Sequence, residues 1–315
     1  YEEVVDTPPY RFGRIGFTWL ALLVARGDTS RLPVAMTWLV LAGIFFISTA
    51  FALIAQASDW SPLTGLVAVA IPGFWTSLQM ALPEPVAAAL LVLGLYVFRR
   101  EHFASAGLLF GASLLIRETG MILAGCLLTH LVLRRRYKEA LVFGFGSLAG
   151  VLVWRAYVGV TFSSEWGFRA FLYSPPAGIP TTGIVTLWRV VSSGLYYPNQ
   201  PEVVRAATVF PLVLLSGFLL TMWGVVSNLK SERVASALYA LVAVSLTYEN
   251  VWIHVANAQR TSYELFVMLA IVMVGTEARE WWLRRSLLAW WSCAVAYSLF
   301  LAYDARFVFD SITGF

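Results

Sequence analysis

Long apolar runs separated by short polar turns fill most of the chain, and they are too continuous for strands that alternate inward and outward. The runs fall at residues 33–57, 63–82, 83–99, 103–116, 121–133, 140–161, 208–227, 234–248, 262–276 and 287–302. A helix needs roughly 20 apolar residues to cross a bilayer. Several runs approach that length with few internal charges, which predicts an all-α, polytopic integral membrane bundle of about ten hydrophobic segments. Gly107 with Gly111, and Gly146 with Gly150, have the small-residue spacing that brings helices close together.

One interruption needs its own explanation. In "GASLLIRETGMILAGCLLTHLVLRRRYKEA" (111–140), Arg117 and Glu118 stand inside apolar flanks. A charge at the centre of a membrane helix costs roughly 2.5–3.5 kcal/mol on insertion scales. Arginine clusters at 99–100 and 134–136 bound the segment on both sides. A single helix over 103–133 would be about 46 Å long, against a hydrocarbon core of about 30 Å, and would place the two clusters on opposite faces. Two arms turning near 117–120 return both clusters to one side. Each arm is then about 21 Å long, so the turn is predicted below the membrane surface. Backbone at that depth requires protein or a water-filled cavity around it.

Composition supports a membrane class. The 315 residues are 59% hydrophobic and 13% charged, where globular chains carry about 25% charged residues. The chain reads as a single integral membrane domain over 1–315: an outer loop with an interfacial helix at 1–32, the bundle at 33–302, and an outer tail at 303–315. The polar opening "YEEVVDTPPYRFGR" reads as mid-loop, which predicts at least one further span before Tyr1. Five short loops, at 58–62, 99–102, 134–139, 228–233 and 277–286, hold 11 of the 22 Lys and Arg, so they are predicted cytoplasmic. Retention of positive loops accounts for the net charge of +4 better than nucleic-acid binding, since no basic stretch extends past four residues. Cys126 and Cys293 lie in apolar segments and the three histidines are far apart, so neither a disulfide nor a metal site is expected. Phosphate-binding glycine loops, a nucleophile elbow and zinc signatures are all missing, and no cofactor is expected.

Parity places four polar groups on the outer side. The first is 6–33, with Asp6, Arg11, Arg14, Asp28 and Arg31 around an apolar run at 15–25 that is too short to span. The second is Glu84, between two prolines at the start of a segment, where simple helix capping is an even alternative. The third is the Arg117–Glu118 turn, read with Glu118 holding the Arg117 guanidinium in place. The fourth is "YENVWIHVANAQRTSYELF" (248–266), with Asn257 and Arg260. Arg11, Arg14, Arg117 and Arg260 can clamp a phosphate through the planar guanidinium fork, and nearby carboxylates can serve as base toward a hydroxyl. The outer stretch 162–207 reads as a lid or binding loop, with an amphipathic helix in "IVTLWRVVSSGLYY".

The run "LPEPVAAALLVLGLYVFRREHFASAGLLFGASLLIRETGMILAG" resembles bacterial membrane proteins of the GT-C glycosyltransferase superfamily. So does "YRFGRIGFTWLALLVARGDTSRLP", and so does the later Asn257-x-x-Arg260. The resemblance implies inverting transfer of a sugar from a polyprenyl-phosphate donor to a glycan, lipid or protein acceptor at the outer face of the bacterial cytoplasmic membrane. It implies no nucleotide. Glu84, Arg117, Glu118 and Arg260 match its pattern. Its usual catalytic Asp falls early in the first outer loop, for which Asp6 is the candidate here. A non-enzymatic transporter or assembly subunit for lipid-linked glycans is the competing class, since broken helices also mark transporters.

Overall fold

The computed structural model describes residues 14–162, 182–192, 201–245, 259, 261–276 and 280–300. Its helices are α1 (Ile15–Val24), α2 (Leu32–Gln56), α3 (Phe74–Gln79), α4 (Glu84–Arg99), α5 (Phe103–Ile116), α6 (Met121–Leu133), α7 (Tyr137–Thr161), α8 (Thr182–Ser192), α9 (Pro201–Ser227), α10 (Ser231–Ser245), α11 (Tyr263–Val274) and α12 (Trp281–Phe300). No strand occurs among the described residues. The all-α expectation holds. Among the described residues three helices are long and apolar enough to cross a membrane: Thr29–Gln56, Tyr137–Thr161 and Val209–Ser227. The apolar helices α1, α5, α6 and α11 are shorter, so the structure supports a membrane protein without fixing ten spans.

The segment drawn at 63–82 is not one helix: a 3-10 stretch, Pro62–Ala70, ends before Pro72 and Gly73, and the six-residue α3 follows. Gly73 takes φ +85°, which a side chain disfavours, and Pro72 lacks the N–H a continuing helix would need. The segment drawn as loop at 162–207 is shorter than expected, because α9 begins at Pro201. Between them α8 is strongly amphipathic, as the sequence predicted. Residues 163–181 and 193–200 lie outside the described residues.

The chain divides into two compact units, residues 1–50 with 81–174, and residues 51–80 with 175–315. In the first unit α5 packs against α7 and α4. Glycine makes this possible: a Cβ on Gly107 would lie 2.7 Å from the Phe143 carbonyl oxygen, and one on Gly111 2.6 Å from that of Gly146. Across the other face Ser113 Oγ donates to the Ala87 carbonyl at 2.8 Å, tying α5 to α4. The predicted break is present. α5 stops at Ile116, Arg117 is extended (φ −154°, ψ 119°), Glu118–Gly120 form one 3-10 turn, and α6 leads away. Glu101 and Arg136, from the turns at the other end, pair at 2.6 Å. Both arginine clusters therefore lie at one end of the hairpin and Arg117–Gly120 at the other.

In the second unit α11 is the core. All 12 of its residues are buried, including Glu264 in its first turn; the ten that follow Glu264 are all apolar. Trp290 of α12 stacks on Phe266 with ring centroids 5.9 Å apart, and its indole N–H donates to Ser216 Oγ at 2.9 Å. Near the junction of α11 and α12, the Arg284 guanidinium lies 3.6 Å from the centre of the Trp60 ring. Arg233 donates there to Glu280 and, at 3.2 Å, to the Gly224 carbonyl.

A buried charge cluster beside an apolar groove

The candidate site forms within the first unit, at the break between α5 and α6. Arg117 and Glu84 pair at 3.3 Å with only 6% and 3% of their side chains exposed. Glu84 opens α4 and is buried, so helix capping alone does not describe it. A lone buried charge would cost several kcal/mol, and each of these side chains offsets the other's burial.

Glu118 differs from the sequence expectation. Its ion-pair partner is Arg14, 104 residues earlier, in a bidentate arrangement: Nη2 to Oε1 at 2.6 Å and Nε to Oε2 at 2.9 Å. The pairing of Glu118 with Arg117 is therefore corrected. Because Arg117 is extended, residues 117 and 118 project to different neighbours, one toward α4 and the other toward the start of α1. A planar fork on a carboxylate fixes both orientation and distance, which makes Arg14–Glu118 the more rigid pair. α1 comes close enough for this because Gly16 lies against the backbone of Leu115 and Ile116.

A third guanidinium joins them. Arg155, buried on α7, lies within electrostatic reach of Glu118 and Arg14, and Arg14 in turn feels Arg117 and Glu84. Sequence reasoning missed Arg155, although a charge inside an apolar run was the very signal that singled out Arg117. The five side chains comprise three cations and two anions. Among the described residues the cluster is thus net positive, largely shielded from water and held on four separate segments.

An apolar groove of about 590 Å³ adjoins it. Gly16, Trp19, Leu20 and Leu23 of α1 form one wall, and Ala112, Leu115 and Ile116 of α5 form the other. It begins two residues from Arg14 and runs toward Arg26, about 15 Å along α1 at 1.5 Å per residue. Trp19 meets Trp154 edge to face at 5.6 Å, bracing α1 on α7 next to Arg155.

Of the other predicted site residues, Asp6, Arg11, Asn257 and Arg260 lie outside the described residues. Among the described residues no group of three or more His, Cys, Asp or Glu is placed to hold a metal ion. No family model, curated protein or solved structure matches the chain.

Proposed function

We propose that the chain is a membrane glycosyltransferase of the GT-C type, moving a sugar from a polyprenyl-phosphate donor to a glycan, lipid or protein acceptor at the outer face of a bacterial cytoplasmic membrane. In this reading the shorter apolar helices join the three long ones in a bundle of about ten membrane segments. The observation that carries it is the pairing of a buried arginine cluster, net positive among the described residues, with an adjoining apolar groove. A lipid-linked phosphate needs both: guanidinium donors for the head and an apolar path for the tail.

The chemistry is a displacement at the anomeric carbon. An acceptor oxygen forms a bond to that carbon, the bond from carbon to phosphate oxygen breaks, and polyprenyl phosphate leaves. The acceptor proton passes to a carboxylate. Arg117 and Arg155 would stabilise charge on the departing phosphate, which grows as the bond breaks. Glu118, with both oxygens on Arg14, acts in this proposal as a positioning group, not as the base. Glu84 keeps Arg117 oriented, and Asp6 is assigned the proton. No metal or cofactor takes part in the proposed step.

The test uses the full chain in lipid nanodiscs with a radiolabelled polyprenyl-phosphate sugar and an envelope extract as acceptor. Label appearing in acceptor, with stoichiometric release of polyprenyl phosphate, supports the transferase. Donor binding without release supports a transporter or assembly subunit. Failure to bind any lipid-linked phosphate overturns both.

A further inference from the structure

The end of the α4–α7 bundle away from the candidate site carries a second charge feature. The turns 99–102 and 134–139 together hold six of the 22 basic and two of the 18 acidic residues. The other 305 residues then hold 16 of each, so these ten residues account for the whole net charge of +4.

Their geometry gathers that charge on one face. α4 and α6 end in the same motif. His102 N–H donates to the Val97 carbonyl and Glu101 N–H to that of Phe98, while Arg136 N–H donates to Leu131 and Arg135 N–H to Val132. The motif puts one residue in the left-handed region, usually glycine. Here those residues are Glu101 (φ 64°) and Arg135 (φ 59°). Charged side chains thus occupy both positions where glycine would relieve the backbone. Arg136 clasps the turns together: it pairs with Glu101 at 2.6 Å and Glu139 at 3.2 Å, and its guanidinium lies 4.8 Å from the Phe103 ring centre. Both carboxylates of the patch are thereby engaged by one arginine. Arg99, Arg100, Arg134, Arg135 and Lys138 are exposed around that clasp.

The patch sits at the first turn of α7, one of the helices able to cross a membrane. A 25-residue helix is about 37 Å long and spans the core with its ends among the headgroups. Tyr137, 59% exposed, is an aromatic anchor at that level. Clusters of four or more arginines at the end of a span attract acidic lipid. We propose that this patch is a binding site for the phosphate headgroup of an anionic phospholipid, separate from the candidate donor site.

The experiment uses the full chain in detergent, titrated with phosphatidylglycerol or phosphatidylcholine and read by native mass spectrometry. Phosphatidylglycerol should bind at least tenfold tighter, and the preference should fall as salt rises from 50 to 300 mM. In the variant with Arg99→Gln, Arg100→Gln, Arg134→Gln and Arg135→Gln it should vanish while the helical melting curve is kept. Because four changes can disturb membrane insertion, Arg135→Gly is measured as well. It relieves the backbone, so it should melt no lower yet bind phosphatidylglycerol more weakly. Equal binding of the two lipids by the unmodified protein, undiminished preference in a folded variant, or displacement of the lipid by millimolar inorganic phosphate overturns the proposal.

Discussion

Glu118 is held by Arg14, 104 positions before it, while its sequence neighbour Arg117 reaches across to Glu84. The break between α5 and α6 is therefore braced from two directions, and each brace is separately testable. Arg14→Leu or Glu118→Leu alone should destabilise by about 1.5–3 kcal/mol, the worth of a hydrogen bond between charged groups. The two together should recover most of that loss. Thermal melts of the four proteins give the coupling, and an additive result would break the assigned pairing.

The second brace separates fold from function. Arg117→Lys retains a positive charge near Glu84 but loses the planar fork. Stability should change by less than that of Arg117→Ala, while affinity for a polyprenyl-phosphate donor falls at least tenfold. Equal donor affinity in the lysine variant would remove Arg117 from phosphate recognition.

Arg155 supplies the third cation, and its substitution leaves two cations facing two anions among the described residues of the cluster. Arg155→Gln should weaken binding of dodecyl phosphate by about tenfold to hundredfold, the worth of one charged hydrogen bond. Dodecanol binding should stay unchanged, and Arg155→Lys should restore part of the loss. Parallel losses for phosphate and alcohol would mean the residue only holds the fold.

The bundle interior predicts a contrast between two glycines. Gly111→Ala drives a methyl to 2.6 Å from the Gly146 carbonyl and should cost about 1–3 kcal/mol. Gly125→Ala, with nothing within 4 Å, should gain about 0.5–1 kcal/mol from helix propensity. Matching melting shifts in both would mean α5 and α7 do not touch as described.

Glu280 gives a dependence on pH. Burial pushes its carboxyl up, but the hydrogen bond and charge of Arg233 outweigh this, and it titrates below the usual carboxylate range. A depressed value stabilises the fold above the unfolded pKa of about 4.3, and that contribution is lost as pH falls through the folded value. Between pH 6 and 3 the unmodified protein should therefore lose melting temperature faster than Glu280→Gln. Parallel curves would show that the pair contributes nothing.

The sequence made the hairpin legible because its signals are local: a charge pair mid-run, arginines at both ends and small residues spaced for contact. It did not reveal which charges meet, since Arg14 reaches Glu118 only once α1 folds over α5 at Gly16. At 63–82 apolar composition hid a break, although Pro72 followed by Gly73 was there to be read. Arg155 is harder to see because one charge in the apolar body of a 25-residue helix, beyond the Lys138 and Glu139 of its first turn, reads as tolerated until a cluster gathers around it.

The bracing of the break also has a direction in time. Chains emerge N-terminal end first, and domains begin to fold during synthesis. Arg14 and Glu84 both precede residues 117 and 118, so each partner has already left the ribosome when the charges it must neutralise arrive. Neither tip residue need wait in lipid for a counter-ion still to be made. Arg155 comes last, adding its positive charge to a set already balanced, so the described part of the cluster becomes attractive to an anion only after α7 is in place.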